Sequence, residues 1–575
     1  MYPLEAFAPL FKKDEYSPQE RWLLEPFFSN LDKSVYAPYI ISPELIGAIC
    51  SRTSRATADL RYLYLKEFVQ PFVNPVRDEK DTDEAWQQKV THGAALREFI
   101  EFLHKHSLIE LFSNPRARSF FIKWLAQYGD DSIAQMAGAH IVFGGLSQVA
   151  LKHIEDQRIG LAPIEKSTRY VNYGEKVDGH YLYYTDPTLG QYGLKDEYTR
   201  VMDQLFETYG SSLPRLIEYL SKKFPEEKAG VVEKKAFDTL RGLLPTSTLS
   251  QVAFFGNGQS FEYMISRCAR HPLGEIRWAG EAAYQELSTI TPAFLRRVKD
   301  EERKDAIEEY QDYLTRKPDR VAPFVDATLG SASRKGDTHE GPHVELVEYD
   351  PDGEVKVITG ILFASTNNHR SWNETLEVVR RMDPEEREAV LEAYLKGRTQ
   401  RWQKVGRAFE NVYVRFDILM NIGSWRDIHR HRMLTQQRQF FTCAHGYDTP
   451  QDVIDAGLEK EYRSAIDGVS ALYAKIETYD PWLAQYCVTL AHRIRFMQWK
   501  NLRECFWEIE LRTIPEGHPD YRIVEQKKFS LLEKVYPLIA RHMRVNVGNY
   551  DFARRGQEDR IQKKLQELTR GTGSA

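Results

Sequence analysis

Six side chains that can carry positive charge fall within thirteen residues: Arg426, His429, Arg430, His431, Arg432 and Arg438. Gathering them is costly unless an anion neutralises the charge. A guanidinium matches a phosphate through two parallel hydrogen bonds. The densest part is Arg430-His431-Arg432. Far upstream, Asp156-Gln157-Arg158 leads into Glu165-Lys166-Ser167-Thr168-Arg169-Tyr170, a compact set of acceptor, hydroxyl and cation. The two segments read as one motif written twice, each copy keeping what the other has lost. Arg241 stands at the apolar helix end Leu240-Arg241-Gly242-Leu243-Leu244-Pro245 and needs an anionic partner if buried. Plainer readings stand beside these: a solvated basic surface or a nucleic-acid contact at 426–438, an ordinary loop at 165–169, and a snorkelling Arg241.

Other chemistries find no support. The chain carries no phosphate-cradling Gly-Lys loop or Gly-x-Ser-x-Gly elbow. No metal site is expected, although Cys443 and His445 stand near His431. The five cysteines are scattered without paired spacing, which argues against a disulfide framework or structural zinc and for buried thiols in a reducing compartment. A net charge of -5 gives no reason to expect a whole-surface nucleic-acid binder. Met1-Tyr2-Pro3-Leu4-Glu5 does not open a signal peptide. No stretch approaches the roughly 20 apolar residues that span a bilayer, so no membrane partner and a cytoplasmic location are expected.

The elements that must position these residues follow from periodicity. Residues 1–40 read as an irregular N-terminal extension. The stretch Phe120 to Arg158 reads as largely helical, with Leu146, Val149, Ala150, His153 and Ile154 on one face. Tyr181 to Thr185 and Val355 to Phe363 read as strands. His343 to Glu348 alternates as another, and helices are expected again from 450 to 545. Low periodicity marks 316–342 as a linker. The expected division is an extension at 1–40, a first domain at 41–315, the linker, a second domain at 343–550 and a tail at 551–575 that ends in disorder.

Together the motifs resemble the flavin-dependent thymidylate synthases, the ThyX family, whose signature is Arg-His-Arg, a spacer and then Ser. The first half matches at Gly129-Asp130-Asp131-Ser132-Ile133, Glu165 to Tyr170, Arg241 with Pro245, Asn257-Gly258-Gln259-Ser260, and Arg267 with His271 and Glu275-Ile276. The second matches at Phe409-Glu410-Asn411, Arg430-His431-Arg432, near Arg493, and at Asn501-Leu502-Arg503 with Glu508-Ile509. Each half departs from the pattern differently. Asp156-Gln157 replace Arg-His in the first. Arg438, Phe440 and Thr442 replace Glu, Ser and Arg in the second, and no counterpart of Arg241 is evident near Asp480-Pro481.

The resemblance implies an α+β fold of two tandem ThyX-like domains, mostly helical with small sheets, forming a pseudo-dimer. A homodimer of such chains would make a pseudo-tetramer. It implies reductive methylation of dUMP at C5, with FAD as cofactor and methylenetetrahydrofolate and NADPH as cosubstrates. Arg430, His431, Arg432, Arg493 and Asn257 would hold FAD. Glu165, Ser167, Arg169, Arg241 and Arg267 would hold the nucleotide, and the unlike halves would form one composite site. Ser167 and Arg267 would act at the reacting base, Ser167 as a binding group rather than a nucleophile. The alternative is a divergent flavin- or nucleotide-binding relative that acts on another uracil-containing substrate, including RNA, or is non-catalytic.

Overall fold

The computed structural model describes residues 2–40, 42–112, 134–330 and 339–552, and the single positions 115, 116, 119, 123, 336 and 563. The motif at 129–133 and the end of the tail lie outside the described residues.

The chain is mostly helical with two small sheets. In the first sheet, β1 (Val35–Tyr36), β2 (Gly138–Leu146), β3 (Leu161–Glu165) and β4 (Ser250–Asn257) lie in the order β1-β2-β4-β3. In the second, β5 (His343–Glu348), β6 (Tyr413–Asn421), β7 (Thr435–Arg438) and β8 (Arg493–Asn501) repeat that order as β5-β6-β8-β7. All neighbouring strands are antiparallel.

Alternation drives the strands. β6 turns Val414, Phe416 and Ile418 inward and β8 turns Ile494 and Phe496 inward, as a two-residue period requires. Each long central strand runs straight into a helix through a capping side chain. Ser147 Oγ accepts from Ala150 N at 3.0 Å and Asn421 Oδ1 from Ser424 N at 2.8 Å. Asn257 Oδ1 accepts from Ser260 N, and Asn501 Oδ1 from Glu504 N, both at 2.9 Å. Each cap satisfies an N–H that the first helical turn leaves without a partner.

Two compact units emerge, and each draws on both halves of the sequence. The first comprises Met1–Leu216, Leu243–Ser333 and Gly457–Val488. The second comprises Ile217–Gly242, Arg334–Ala456 and Thr489–Ala575.

Several sequence expectations need correction. Within Phe120 to Arg158, residues Gly138–Leu146 form β2, whose side chains are buried too continuously for a helical stripe to stand out. Val355 to Phe363 belongs to helix Gly353–Phe363, buried at Val355 and at each position from Val357 to Gly360, so its apolar run covers the helix all round rather than one side of a sheet. A Cβ at Gly360 would come within 2.6 Å of Asn411 Nδ2 and 3.3 Å of Ala408, so the glycine lets the helix pack closely there. Tyr181 to Thr185 makes only an isolated bridge, Tyr183 to Thr248. β8 interrupts the helices expected across 450–545. Lys317–Leu329 is helical despite its weak periodicity. Four cysteines are buried, Cys443 is half-buried, and none is in a disulfide.

Candidate functional site

The two sheets give a register against which the two halves can be matched. Counted from the caps Ser147 and Asn421, Asp156-Gln157-Arg158 take the places of Arg430-His431-Arg432. Each triplet follows the end of the helix its cap opens, Gln148–Glu155 in the first unit and Ile422–Ile428 in the second. Glu165 pairs with Val252 and Arg438 with Phe496. Val252 and Phe496 stand equally far from the caps Asn257 and Asn501, so Glu165 and Arg438 share one sheet position. Ser167 then corresponds to Phe440 and Arg169 to Thr442. The extra residue of the first copy falls in the turn of Arg158 and Gly160, which adopt φ of 69° and 90°.

The second unit builds its triplet around a buried histidine. The side chain of Arg430 is 53% exposed, with Asp427 Oδ1 at 3.8 Å. Arg432 is half-buried. His431 is buried, with Nδ1 at 2.9 Å from Glu504 Oε1, and Arg512 Nε donates to its Nε2 at 3.0 Å. Burial pushes the imidazole below its ordinary pKa, with Glu508 and Glu504 acting in the opposite direction. Beneath it lies an ionic core. Glu508 accepts from Lys500 at 2.6 Å and Lys528 at 3.0 Å, and Lys528 also reaches Glu525 at 2.7 Å. Burial alone would raise the Glu508 carboxyl, but Lys500 and Lys528 outweigh it and hold the pKa well below the usual value. His431, Glu504 and Glu508 lie close enough together to suggest a metal cluster. Their donor atoms already face Arg512, Lys500 and Lys528, so the donor set does not favour a cation.

Arg241 belongs to this second unit. It is buried, its Nη1 lies 3.2 Å from Asp238 Oδ1, and its Nη2 donates to Ser424 Oγ at 3.3 Å. Asp238 Oδ2 is 3.3 Å from His518 Nε2, and Ser424 Oγ donates to Asp520 Oδ2 at 3.2 Å. Asn421 Nδ2 bridges Asp520 at 2.8 Å and Asp448 at 3.0 Å. Arg493, expected at the cofactor, ties a loop to β8. Its Nε donates to Asp448 at 2.7 Å, and its other nitrogens reach the carbonyls of His339, His445 and Tyr447.

The first unit collects Glu165, Ser167, Arg169, Asn257 and Arg267. Glu165 is buried, accepting from Gln148 Nε2 at 2.8 Å and pairing with Lys152 Nζ at 3.1 Å. Lys152 also pairs with Glu155 at 2.6 Å. Ser167 is half-buried. Its N donates to the carbonyl of Ser54 at 2.9 Å, and its Oγ accepts from the N of buried Arg169 at 3.3 Å. Lys166 Nζ donates to the Thr57 carbonyl at 2.8 Å, and burial pushes its pKa down to about 8 against the pull of Asp59 and Asp14. Asn257 spends its carbonyl oxygen on capping. Arg267 lies half-buried on helix Gly258–Ala269, its guanidinium 5.8 Å from the Tyr263 ring.

The strand–helix register also fixes two further matches between the halves. Arg267 with Glu275-Ile276 does not correspond to Arg503 with Glu508-Ile509. Glu275 begins a separate helix, Gly274–Ile290, whereas Glu508 lies on Leu502–Arg512, which β8 enters directly. Counted from the asparagine caps, Arg512 takes the place of Cys268. Arg241 does have a positional counterpart: Arg241–Leu243 and Gln485–Cys487 are matching 3-10 turns before β4 and β8, so Gln485 stands there. Sequence reading missed Glu504 and Arg512 as partners of His431. Their signal, an Asn cap followed by polar residues on a helix, is too common to single out.

A family model described as thymidylate synthase complementing protein matches residues 82–293 and 345–538. A UPF0159 protein of Chlamydia pneumoniae is 33% identical over 560 residues, covering 96% of this chain and 99% of the relative. A UPF0159 protein of Thermoplasma acidophilum is 30% identical over 481 residues, covering 78% and 93%. A flavin-dependent thymidylate synthase of Corynebacterium efficiens is 26% identical over 214 residues, covering 36% and 80%.

Proposed function

The chain belongs to the thymidylate synthase complementing protein family, and from that premise we propose that it is a flavin-dependent enzyme that methylates C5 of a uridine nucleotide, dUMP first among them. The observation that carries this reading is a contrast in charge. Where the first unit balances Lys152 with Glu165 at 3.1 Å, the second places Arg426 and Arg438 at the same two positions. With Arg430 and Arg432, the donor set of the second unit fits a phosphate-bearing anion such as FAD.

Each group has a proposed task. Arg430 and Arg432 bind the cofactor's anionic part, and His431 fixes the turn between them. Arg493 acts indirectly by holding the loop at 445–448. Ser167 and Arg169, backed by Lys166, bind the nucleotide phosphate, and Arg267 orients its base. Glu165 is a framing residue for Lys152 and Gln148. When bound, reduced flavin would supply the hydride and methylenetetrahydrofolate the one-carbon unit, with NADPH as reductant. The protein's part is positioning and stabilisation of negative charge that develops on the pyrimidine.

Phe440 and Thr442, at the positions of Ser167 and Arg169, favour a second reading in which a relative of these enzymes acts on another uracil-containing substrate. No helix among the described residues is long and apolar enough to cross a membrane. The test is flavin titration of the purified protein, followed by rescue of a thymidine-requiring bacterium. Yellow absorbance with rescue supports the first reading. Absorbance without rescue supports the second, and failure to bind FAD overturns both.

A further inference from the structure

The turn after helix Ile422–Ile428 hangs on one buried side chain. Arg512 Nε–H donates to His431 Nε2 at 3.0 Å, and that contact needs a lone pair on Nε2. The imidazole proton of neutral His431 is therefore on Nδ1, where Glu504 Oε1 accepts it at 2.9 Å. The His431 backbone N–H donates to the Ile428 carbonyl at 3.1 Å, so ring and peptide are both held. Glu504 is itself fixed: its backbone N donates to the cap Asn501 at 2.9 Å, and its residue is buried. Glu508, the other carboxylate facing His431, is bound to Lys500 and Lys528 and has its charge met there.

The first unit offers an internal comparison. The places of His431, Glu504 and Arg512 are taken there by Gln157, Ser260 and Cys268. Gln157 Nε2 still reaches the same position, donating to the Ser260 carbonyl at 2.7 Å. Both copies thus anchor this turn to the same point of the following helix. Only the copy that keeps two arginines uses a carboxylate–imidazole–guanidinium relay, and all three members are exchanged together in the other.

Building on the flavin-dependent reading above, we propose that Glu504 is a positioning residue. It locks His431 as the Nδ1–H tautomer and so holds the peptide that presents Arg430 and Arg432 to the cofactor. Outer partners of this kind set ring orientation wherever a histidine must keep one tautomer.

Full-length protein labelled with 15N-histidine tests this in two ways. Long-range proton–nitrogen spectra of the flavin-free protein should show protonated Nδ1 and bare Nε2 for His431, assigned by their absence in His431→Gln. Glu504→Gln keeps an acceptor oxygen and should retain both the tautomer and flavin affinity within about threefold. Glu504→Ala should lose the single-tautomer signature and weaken FAD binding about tenfold or more. If Glu504→Ala fails to fold, Glu504→Gln against Glu504→Met supplies the same contrast. The proposal is overturned if His431 shows the opposite tautomer, or if removing the carboxylate changes neither signature nor affinity. Failure of the wild type to bind FAD would overturn the functional reading, while the flavin-free spectra would still decide the tautomer.

Discussion

Arg241 donates to Ser424 at 3.3 Å although the two residues stand 183 positions apart. Gly423 allows the approach, since a side chain there would come within 3.2 Å of Arg241 Nε. A cation from the first half of the sequence thus sits at the start of the helix that leads to Arg430-His431-Arg432. Removing it would leave the largely covered Asp238 carboxylate, 12% exposed, with His518. Arg241→Ala should cost about 3 kcal/mol or more, as breaking a buried ion pair does, while Arg241→Lys should recover part of it. Denaturant unfolding measures this, and an unchanged midpoint for the alanine variant would contradict the assignment.

Arg430 and His431 should separate binding from folding. Arg430 is exposed, so Arg430→Ala should change stability by no more than about 0.5 kcal/mol. It should still weaken FAD binding at least tenfold, about 1.4 kcal/mol. His431→Ala should lower both. Thermal melts beside flavin titrations check the pair, and equal losses of stability would argue that Arg430 is structural.

Lys166 gives a pH dependence with a definite sign. Its folded pKa of about 8 lies below the ordinary lysine value of 10.5, because burial disfavours the charged form. Above about pH 8 the charge beside Ser167 is lost. Nucleotide affinity should therefore fall as pH rises through that value, and should hold in Lys166→Arg, which stays charged. Amine labelling read by mass spectrometry should modify Lys166 before surface lysines. Labelling only near pH 10 would contradict this.

The ionic core of the second unit should be intolerant of single changes. Gln498, Lys500 and Glu508 stand where the first unit has Phe254, Gly256 and Met264. Lys528→Met would leave Glu508 with Lys500 and take from buried Glu525 its ion pair, at a cost of about 3–5 kcal/mol. Calorimetry of the variant measures it. A melting temperature within a degree of wild type would show that Lys528 carries no net stabilisation.

Much of this arrangement was legible in the sequence, for identifiable reasons. The damaged echo at 156–158 could be read because arginine and histidine clusters are rare, and the sheet register bears out its match to 430–432. The equivalence of Glu165 with Arg438, and of Ser167 with Phe440, was legible for the same reason. Strand positions were harder. β8 carries Gln498 and Lys500 on its inward face, so polar residues broke the expected alternation. Val355 to Phe363 is rich in β-branched residues, yet it is a buried helix that approaches Ala408 at Gly360, a tertiary override of local preference. Gln485 was hidden because nothing in a lone glutamine marks it as the positional counterpart of Arg241. Membership of Arg241 in the second unit depends on chain path, which no local motif encodes.

The central claim is that this chain methylates C5 of dUMP with flavin and folate. The most direct measurement is release of tritium from dUMP labelled at C5, with FAD, NADPH and methylenetetrahydrofolate supplied. The account predicts release together with dTMP formation, and loss of both in Ser167→Ala and in Arg432→Ala. No release from flavin-loaded wild-type protein, or full release from either variant, would contradict it.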